Sequence, residues 1–488
     1  MVLGGLDREE CQSGTIGLQM RPIELADRLG RWSSGRGPLY VLLASRLRQL
    51  IDDGELPPGE LLPPDRALAA ALAVGRTTVV AAYDLLRAEG RITRRQGSGT
   101  RVAGEPNGAR AKDAPIDPFF VDSLERPDDV LHAVCAAPDE PPSFVAEAFQ
   151  RIAPELGRIQ DDLGYYPYGH PSLRAALAER YTSRGAPTTP DQILVTNGGQ
   201  QALSLLAHAL LSPGDQVLVE APTYPGALEV FRRHGAVPRG LPVGLDGLEA
   251  TVRERRPALA YVIPTYHNPT GSVLPTLARQ RLASSDVPLI EDEVPADLRF
   301  PGEQVPAPIA AYGDSVISVG SLSKSIWGGL RIGWVRASTP LINRLARLRA
   351  VHDLGGDVPT QLAAVQLLPF LDDPALHQTL KARHDHLRSL LATKLPDWEV
   401  PTVTGGQCLW VRLPYGDGSS FAQTALRHKV AILPGSGLDV TGRSDQYIRL
   451  HYRASQAKLT EAVHRLAAAW SAYSPPTTHA AKRPVLVV

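Results

Sequence analysis

At 488 residues the chain is too long for one compact core, so two or more domains are expected. Apolar residues make up 43% and 51 basic residues balance 51 acidic ones, which excludes a disordered chain and a global polycation. Cys11, Cys135 and Cys408 are scattered without a C-x-x-C, which argues against a disulfide framework or a metal site; no apolar run suits a bilayer, and the acidic start up to Glu10 lacks the pattern of a signal peptide, so a cytoplasmic setting without membrane contact is expected.

Residues 1–35 read as an N-terminal extension, with one short helical stretch near Ile23 to Arg31. From Leu39 to Ile51 apolar side chains recur at helical spacing until Gly54 and Pro57 end the run. Asp65 to Leu72 forms a second short helix behind Pro63 and Pro64, and Arg76 to Glu89 a third, closed by Gly90. Arg91 to Val102 alternates around Gln96-Gly97-Ser98-Gly99 and predicts a two-stranded hairpin. Residues 36–103 hold ten arginines against seven acids, a local excess of +3 on a neutral chain. A Gly, Pro and Ala-rich linker is expected over 104–125, an α/β domain over 126–473 and a tail over 474–488.

Three short helices followed by a hairpin predict a winged helix-turn-helix, whose third helix can lie in the major groove of double-stranded DNA. Arg76, Thr77 and Thr78 in its first turn offer a bidentate donor and two hydroxyls to base edges. Arg66, Arg94 and Arg95 are placed to clamp phosphates, and Gly97 lets the wing tip come close to the sugar-phosphate chain. The stretch from Gly54 to Val102 resembles the GntR-type winged helix through its LPPDRALA, GRTTV and GSGT segments. Gly75 stands where that pattern usually has a capping serine, a weaker cap by a few tenths of a kcal/mol.

In the longer domain five strand-like runs each end in polar, Gly or Pro chemistry: Ile193 to Thr196, Val217 to Val219, Leu259 to Ile263, Val287 to Ile290 and Val316 to Val319. In a mostly parallel sheet such carboxyl ends line one crevice. The residues gathered there suit pyridoxal 5'-phosphate, which needs an amine, an acid at its ring nitrogen, a phosphate cradle and a stacking ring. Lys324 is the amine candidate. Only seven of the 51 basic residues are lysines, and Lys324 alone falls between Lys112 and Lys381. Arginine cannot replace it in imine chemistry. Asp292 is the acid, and its charge would keep the ring nitrogen protonated. Gly198, Gly199 and Gln200 open a helix whose N–H groups can hold phosphate, with Ser321, Ser323 and Arg331 beside them. Tyr224 offers a ring face and Asn268 a donor to the phenolic oxygen. His267 reads as a local loop donor.

The motifs GGQQAL, APTYPG, HNPTG, EDE and SLSKSIWGGLRIGW, spread from about Leu131 to Ser471, resemble the class I/II aminotransferases. The resemblance implies a fold type I transferase with a smaller C-terminal α+β subdomain, and a homodimer with sites at the subunit interface. It also assigns Arg449 to a substrate or effector carboxylate and Tyr165 to a partner subunit's phosphate. A GntR-like head on such a body is the layout of the MocR-type regulators, which implies a transcription regulator that senses an amino compound or pyridoxal phosphate itself. The alternatives are a working aminotransferase with an accessory DNA-binding head, and a regulator whose body binds no cofactor. Val294 and Pro295 stand where this family commonly has a tyrosine donor, which favours sensing over full transamination.

Overall fold

A computed structural model describes residues 20–30, 32–33, 37–52, 54–95, 99–103 and 130–475. The expected linker, the far N-terminal residues, Gly97 and most of the tail lie outside the described residues. No single helix among those described is long and apolar enough to cross a membrane.

The head begins with α1 (Pro22–Leu29), started by a proline at its N1 position. It continues with α2 (Leu39–Asp52), α3 (Asp65–Ala71) and α4 (Arg76–Ala88). The axes of α3 and α4 are 120° apart, as a helix-turn-helix requires. Leu43, Leu47, Leu68, Val79, Tyr83 and Leu86 form its core, and the buried Tyr83 hydroxyl donates to the Pro63 carbonyl at 3.0 Å. Two features differ from expectation. Residues 20–32, expected within an extension, send Met20, Leu25, Leu29 and Trp32 into this same core. The wing has three strands: β1 (Leu61–Leu62) joins β2 (Ile92–Arg95) and β3 (Gly99–Val102) in the order β1-β3-β2. A two-residue strand has too short a period to be seen in sequence.

The body starts at β4 (Leu131–His132) and contains a seven-stranded sheet. In chain order its strands are β5 (Ile193–Thr196), β6 (Gln216–Glu220), β7 (Val237–Leu241), β8 (Leu259–Val262), β9 (Leu289–Asp292), β10 (Ile317–Ser321) and β11 (Gly333–Arg336). The spatial order is β5-β11-β10-β9-β8-β6-β7. Strands β6 to β10 pair in parallel, while β11 runs antiparallel between β10 and β5. Both faces are covered, which is why the strands read as continuous apolar runs. Ile193, Val195, Leu218, Ala260 and Leu289 pack into one layer. Leu194, Val217, Val219, Leu259 and Ile290 pack into the other.

A smaller subdomain follows, built on β12 (Cys408–Arg412), β13 (Val430–Ala431), β14 (Leu433–Pro434) and β15 (Tyr447–His451). The Pro374–Lys394 and Gln456–Ala472 helices cover it. Strand β13 pairs in parallel with β4, so the beginning of the body is anchored in this subdomain.

The head rests on the small subdomain's Gly418–Arg427 helix. There Arg427 donates to the carbonyls of Leu72 (3.3 Å) and Ala73 (3.0 Å), at the open end of α3. Asp27 on α1 faces Ser419 and Ser436 at 3.4 and 3.3 Å. A cation at the carbonyl end of a helix is favourably placed, and a charged donor is worth about 1.5–3 kcal/mol when half-buried. Arg427→Met should therefore speed amide hydrogen exchange in α3 and in Gly418–Arg427 while leaving β8 and β9 protected. Equal protection in both helices would show that the contact does not hold the head.

Candidate cofactor site and nucleic-acid interface

Lys324 and Arg331 sit on one connection, the turn that reverses the chain from β10 to antiparallel β11. The turn is laced by its own bonds: the Ser321 hydroxyl donates to the Ile332 carbonyl at 2.8 Å and accepts from the Ser323 N–H at 3.1 Å. The Ser321 hydroxyl also lies 3.0 Å from the Ser323 hydroxyl, so the two serines are bonded to each other, and both border a cavity. Arg331 has a left-handed φ of 52°, which turns its side chain back toward β5.

There it meets Gly198, the residue before the Gly199–Leu210 helix. Gly198 has φ 86°, and a Cβ built on it would lie 2.7 Å from an Arg331 Nη. Gly333 is packed as closely: a Cβ there would lie 2.5 Å from the Gly198 carbonyl carbon. Only glycines let the helix start, the returning strand and the guanidinium come together, leaving the Gly199 and Gln200 N–H groups at an open helix end. A cluster unseen in sequence fixes this turn. Asp353 accepts from Asn197 (3.2 Å) and Gln201 (2.9 Å) and pairs with the buried Arg349 at 3.0 Å.

A cavity of about 510 Å³ lies beside this cradle. Its wall includes Gly199, Gln200, Ser321, Ser323, Lys324 and Arg331, and across from them Tyr224, Asn268 and Asp292. The structure therefore brings together the expected amine, acid, ring and cradle. Tyr224 donates to Gln200 Oε1 at 3.0 Å, and Gln200 donates onward to the Gly226 carbonyl at 2.9 Å, so the ring is held by the helix start. Cys135 and Gln407 also line the cavity, and neither was picked out from sequence.

Asp292, 5% exposed, ends β9. Burial pushes its pKa up to about 6, against hydrogen bonds from Tyr261 and the Val294 N–H. Tyr261 donates to Oδ2 at 2.5 Å and Val294 to Oδ1 at 2.9 Å. Tyr261 was missed because a tyrosine in the middle of an apolar strand reads as core. Burial also holds the Lys324 ammonium below its ordinary range, which favours the neutral, nucleophilic amine. Arg449, 5% exposed, donates to Asn268 Oδ1 at 2.9 Å and to the Val134 carbonyl, and its Nε has no acceptor. Asn268 therefore turns its carbonyl toward Arg449. His267 bonds Thr270 Oγ1 at 2.9 Å and lies 3.2 Å from Glu220, a role inside its loop. Tyr165 is 64% exposed and does not line its own chain's cavity.

In the head, Thr77 and Arg66 are exposed and Thr78 is half-buried. Arg76 is about half exposed (53%) and bridges to Asp65 at 2.8 Å, with Arg94 4.0 Å from the same carboxylate. Arg76 thus ties α4 to α3 through its Nε. The Arg95 side chain and Gly97 lie outside the described residues.

Residues 133–466 match the family model for aminotransferase class I and II, and residues 39–102 that for bacterial regulatory proteins of the gntR family. The chain belongs to the class I and II aminotransferase family, with a gntR-family head. It is 30% identical over 469 residues to the uncharacterized HTH-type transcriptional regulator YisV of Bacillus subtilis, covering 87% of this chain and 94% of that protein. It is 33% identical to the probable rhizopine catabolism regulatory protein MocR of Rhizobium meliloti, covering 69% and 72% of the two chains. The crystal structure of LysN, the alpha-aminoadipate aminotransferase of Thermus thermophilus complexed with N-(5'-phosphopyridoxyl)-L-leucine, superposes with a TM-score of 0.65 at 28% identity. The match covers 72% of this chain and 94% of that one. The cofactor that this family implies is pyridoxal 5'-phosphate, and the glycine cradle, buried acid and desolvated lysine fit it.

The buried acid has a consequence for the cofactor-free chain. Unfolded, Asp292 ionises near 3.8; folded, near 6, so between those values the folded chain holds an extra proton. The Asp292 contribution to stability should fall as pH rises through that window, by on the order of 3 kcal/mol, and level off above it. Glu291, also raised by burial, carries the same sign to higher pH. Asp292→Asn should flatten the lower part of the curve, measured by thermal melts of the cofactor-free chain from pH 4 to 7. An unchanged curve would mean that Asp292 is not the group being titrated.

Proposed function

We propose that this protein is a DNA-binding transcription regulator that uses an aminotransferase-like body to sense an amino compound or a pyridoxal vitamer. The observation that carries this reading is the shared wall of Lys324, Asp292 and the Gly199–Arg331 cradle, on the same chain as a winged helix-turn-helix. Pyridoxal phosphate, when bound, supplies an aldehyde that an amine can hold covalently and a ring that withdraws electrons. Lys324 would provide that amine, and Asp292 would hold a proton on the ring nitrogen. Gly199, Gln200, Ser323 and Arg331 would hold the phosphate, Tyr224 would cover the ring, and Asn268 would reach the phenolic oxygen. Arg449, with a free Nε–H beside Asn268, would hold the carboxylate of an effector.

In the head, Arg76, Thr77 and Thr78 would read base edges, and Arg66, Arg94 and Arg95 would hold phosphates beside a wing tip at Gly97. A ligand shifts such a protein only by binding two arrangements unequally. Here the small subdomain that carries Arg449 also carries the helix on which the head rests, so a movement of one is felt by the other. A homodimer would present two heads to paired half-sites, and exposed Tyr165 would reach the partner subunit's cradle. The domain limits that go with this reading are a head over 36–103 joined by residues 104–125 to a body over 126–473, with α1 packed as part of the head. The working place of such a regulator is the cytoplasm, where DNA and the cofactor are both at hand. A second reading, a working aminotransferase with an accessory DNA-binding head, is favoured by the joint presence of Lys324, Asp292, Arg331 and Arg449.

Borohydride reduction of the cofactor-loaded protein and peptide mapping should place a phosphopyridoxyl group on Lys324, and Lys324→Ala should abolish both the label and the visible absorbance. A label on another residue would refute the assignment. Arg76→Ala should cost about 1–3 kcal/mol of operator binding and relax base preference, read by footprinting upstream of the protein's own gene. An unaltered footprint would mean that another element reads the bases. Keto-acid formation at ordinary enzyme rates without operator binding would select the second reading.

A further inference from the structure

A second cavity, of about 450 Å³, lies between the large and small subdomains and shares no lining residue with the cofactor crevice. One wall carries Ser325 and Ile326, which follow Lys324 directly in the chain. The other carries Leu376 and Arg383 of the Pro374–Lys394 helix, together with Arg453.

Arg453 is only 7% exposed, and among the described residues no carboxylate pairs with it. One Nη donates to the Lys324 carbonyl at 2.9 Å, while its Nε has no acceptor. Arg383, bonded to the Arg453 carbonyl at 2.7 Å, adds a second positive charge instead of a counter-ion. The Ser325 hydroxyl, 9% exposed, is also without a partner. The acids of the cavity are held by other cations or lie at its edge: Asp297 pairs with Arg180 at 2.5 Å, Asp139 with the cavity's own Lys458 at 2.8 Å, and Glu140 is exposed. A guanidinium held out of water without a counter-ion is costly unless an anion neutralises it, and its planar fork suits two carboxylate oxygens.

We propose that this cavity is a binding site for a small carboxylate, whose oxygens accept from Arg453 Nε and Ser325 Oγ. The same guanidinium holds the main chain of Lys324, so occupancy is felt at the cofactor lysine without contact with the crevice. This site stands apart from the effector site at Arg449 and does not depend on it.

The test is isothermal titration of the full-length, cofactor-loaded protein in an Arg449→Met background, which disables carboxylate capture in the crevice. Glutarate and inorganic phosphate serve as probes. Glutarate should bind in this background, and adding either Arg453→Met or Leu376→Trp should weaken it at least tenfold. The tryptophan fills the cavity without touching the buried charge, so it decides the matter if Arg453→Met fails to fold. The proposal is overturned if glutarate binds only when Arg449 is intact, if neither added substitution weakens it, if phosphate alone binds, or if neither probe binds.

Discussion

The arrangement of the site depends on a buried acid that lacks a strong positive partner. Asp292 is held at the end of β9 by one phenol and one backbone N–H, with Lys324 only a weak influence on it. A carboxylate so placed is costly to ionise, and a cationic ring delivered against it repays that cost. The rest of the crevice follows from where such a ring must lie. In the proposed reading the Gly198 turn would hold its phosphate, Lys324 on the β10–β11 connection would supply the amine, and Tyr224 would cover its face. The antiparallel β11 is what brings Arg331 back over Gly198; a parallel successor to β10 would have carried the chain away from the cradle.

The head is tied to this body through the small subdomain. The helix that Arg427 ends touches α1 and α3, while the strand that carries Arg449 pairs with the strands on either side of it. Arg449 and the head are therefore attached to one packed unit, with the large sheet as its counterpart. Arg427 ties down the open end of α3 with no carboxylate involved, so the tie is short-ranged and insensitive to distant charge.

Much of this was legible in the sequence where chemistry restricts residue choice. Lys324 stood out because the chain uses arginine for nearly every other positive charge, and the glycines around 198 stood out because they open a helix whose N–H groups can meet a phosphate. Strands β5, β6, β8, β9 and β10 were visible as apolar runs because both of their faces are covered. Other elements left no such mark. Strand β7, VPRGL, carries a proline and a glycine that argue against a strand, and it survives as the edge of the sheet. Strand β11 is short and begins with glycine. Tyr261 and the Asp353 cluster act on the site from positions far off in the chain, and no local pattern reports a partner more than thirty residues away. The inclusion of α1 in the head was hidden for the same reason: its apolar stripe says that it packs, not on what.

The bridge between Arg76 and Asp65 bears on how the head would search a genome. Phosphate contacts release condensed counterions, so binding to any duplex weakens steeply as salt rises. In the proposed reading the Arg76 bridge would respond to salt in the opposite sense, because screening loosens a half-exposed ion pair that competes with a base for the guanidinium. Ionic strength would then erode indiscriminate attachment faster than the correct one, and discrimination between sites would sharpen as the medium becomes more concentrated.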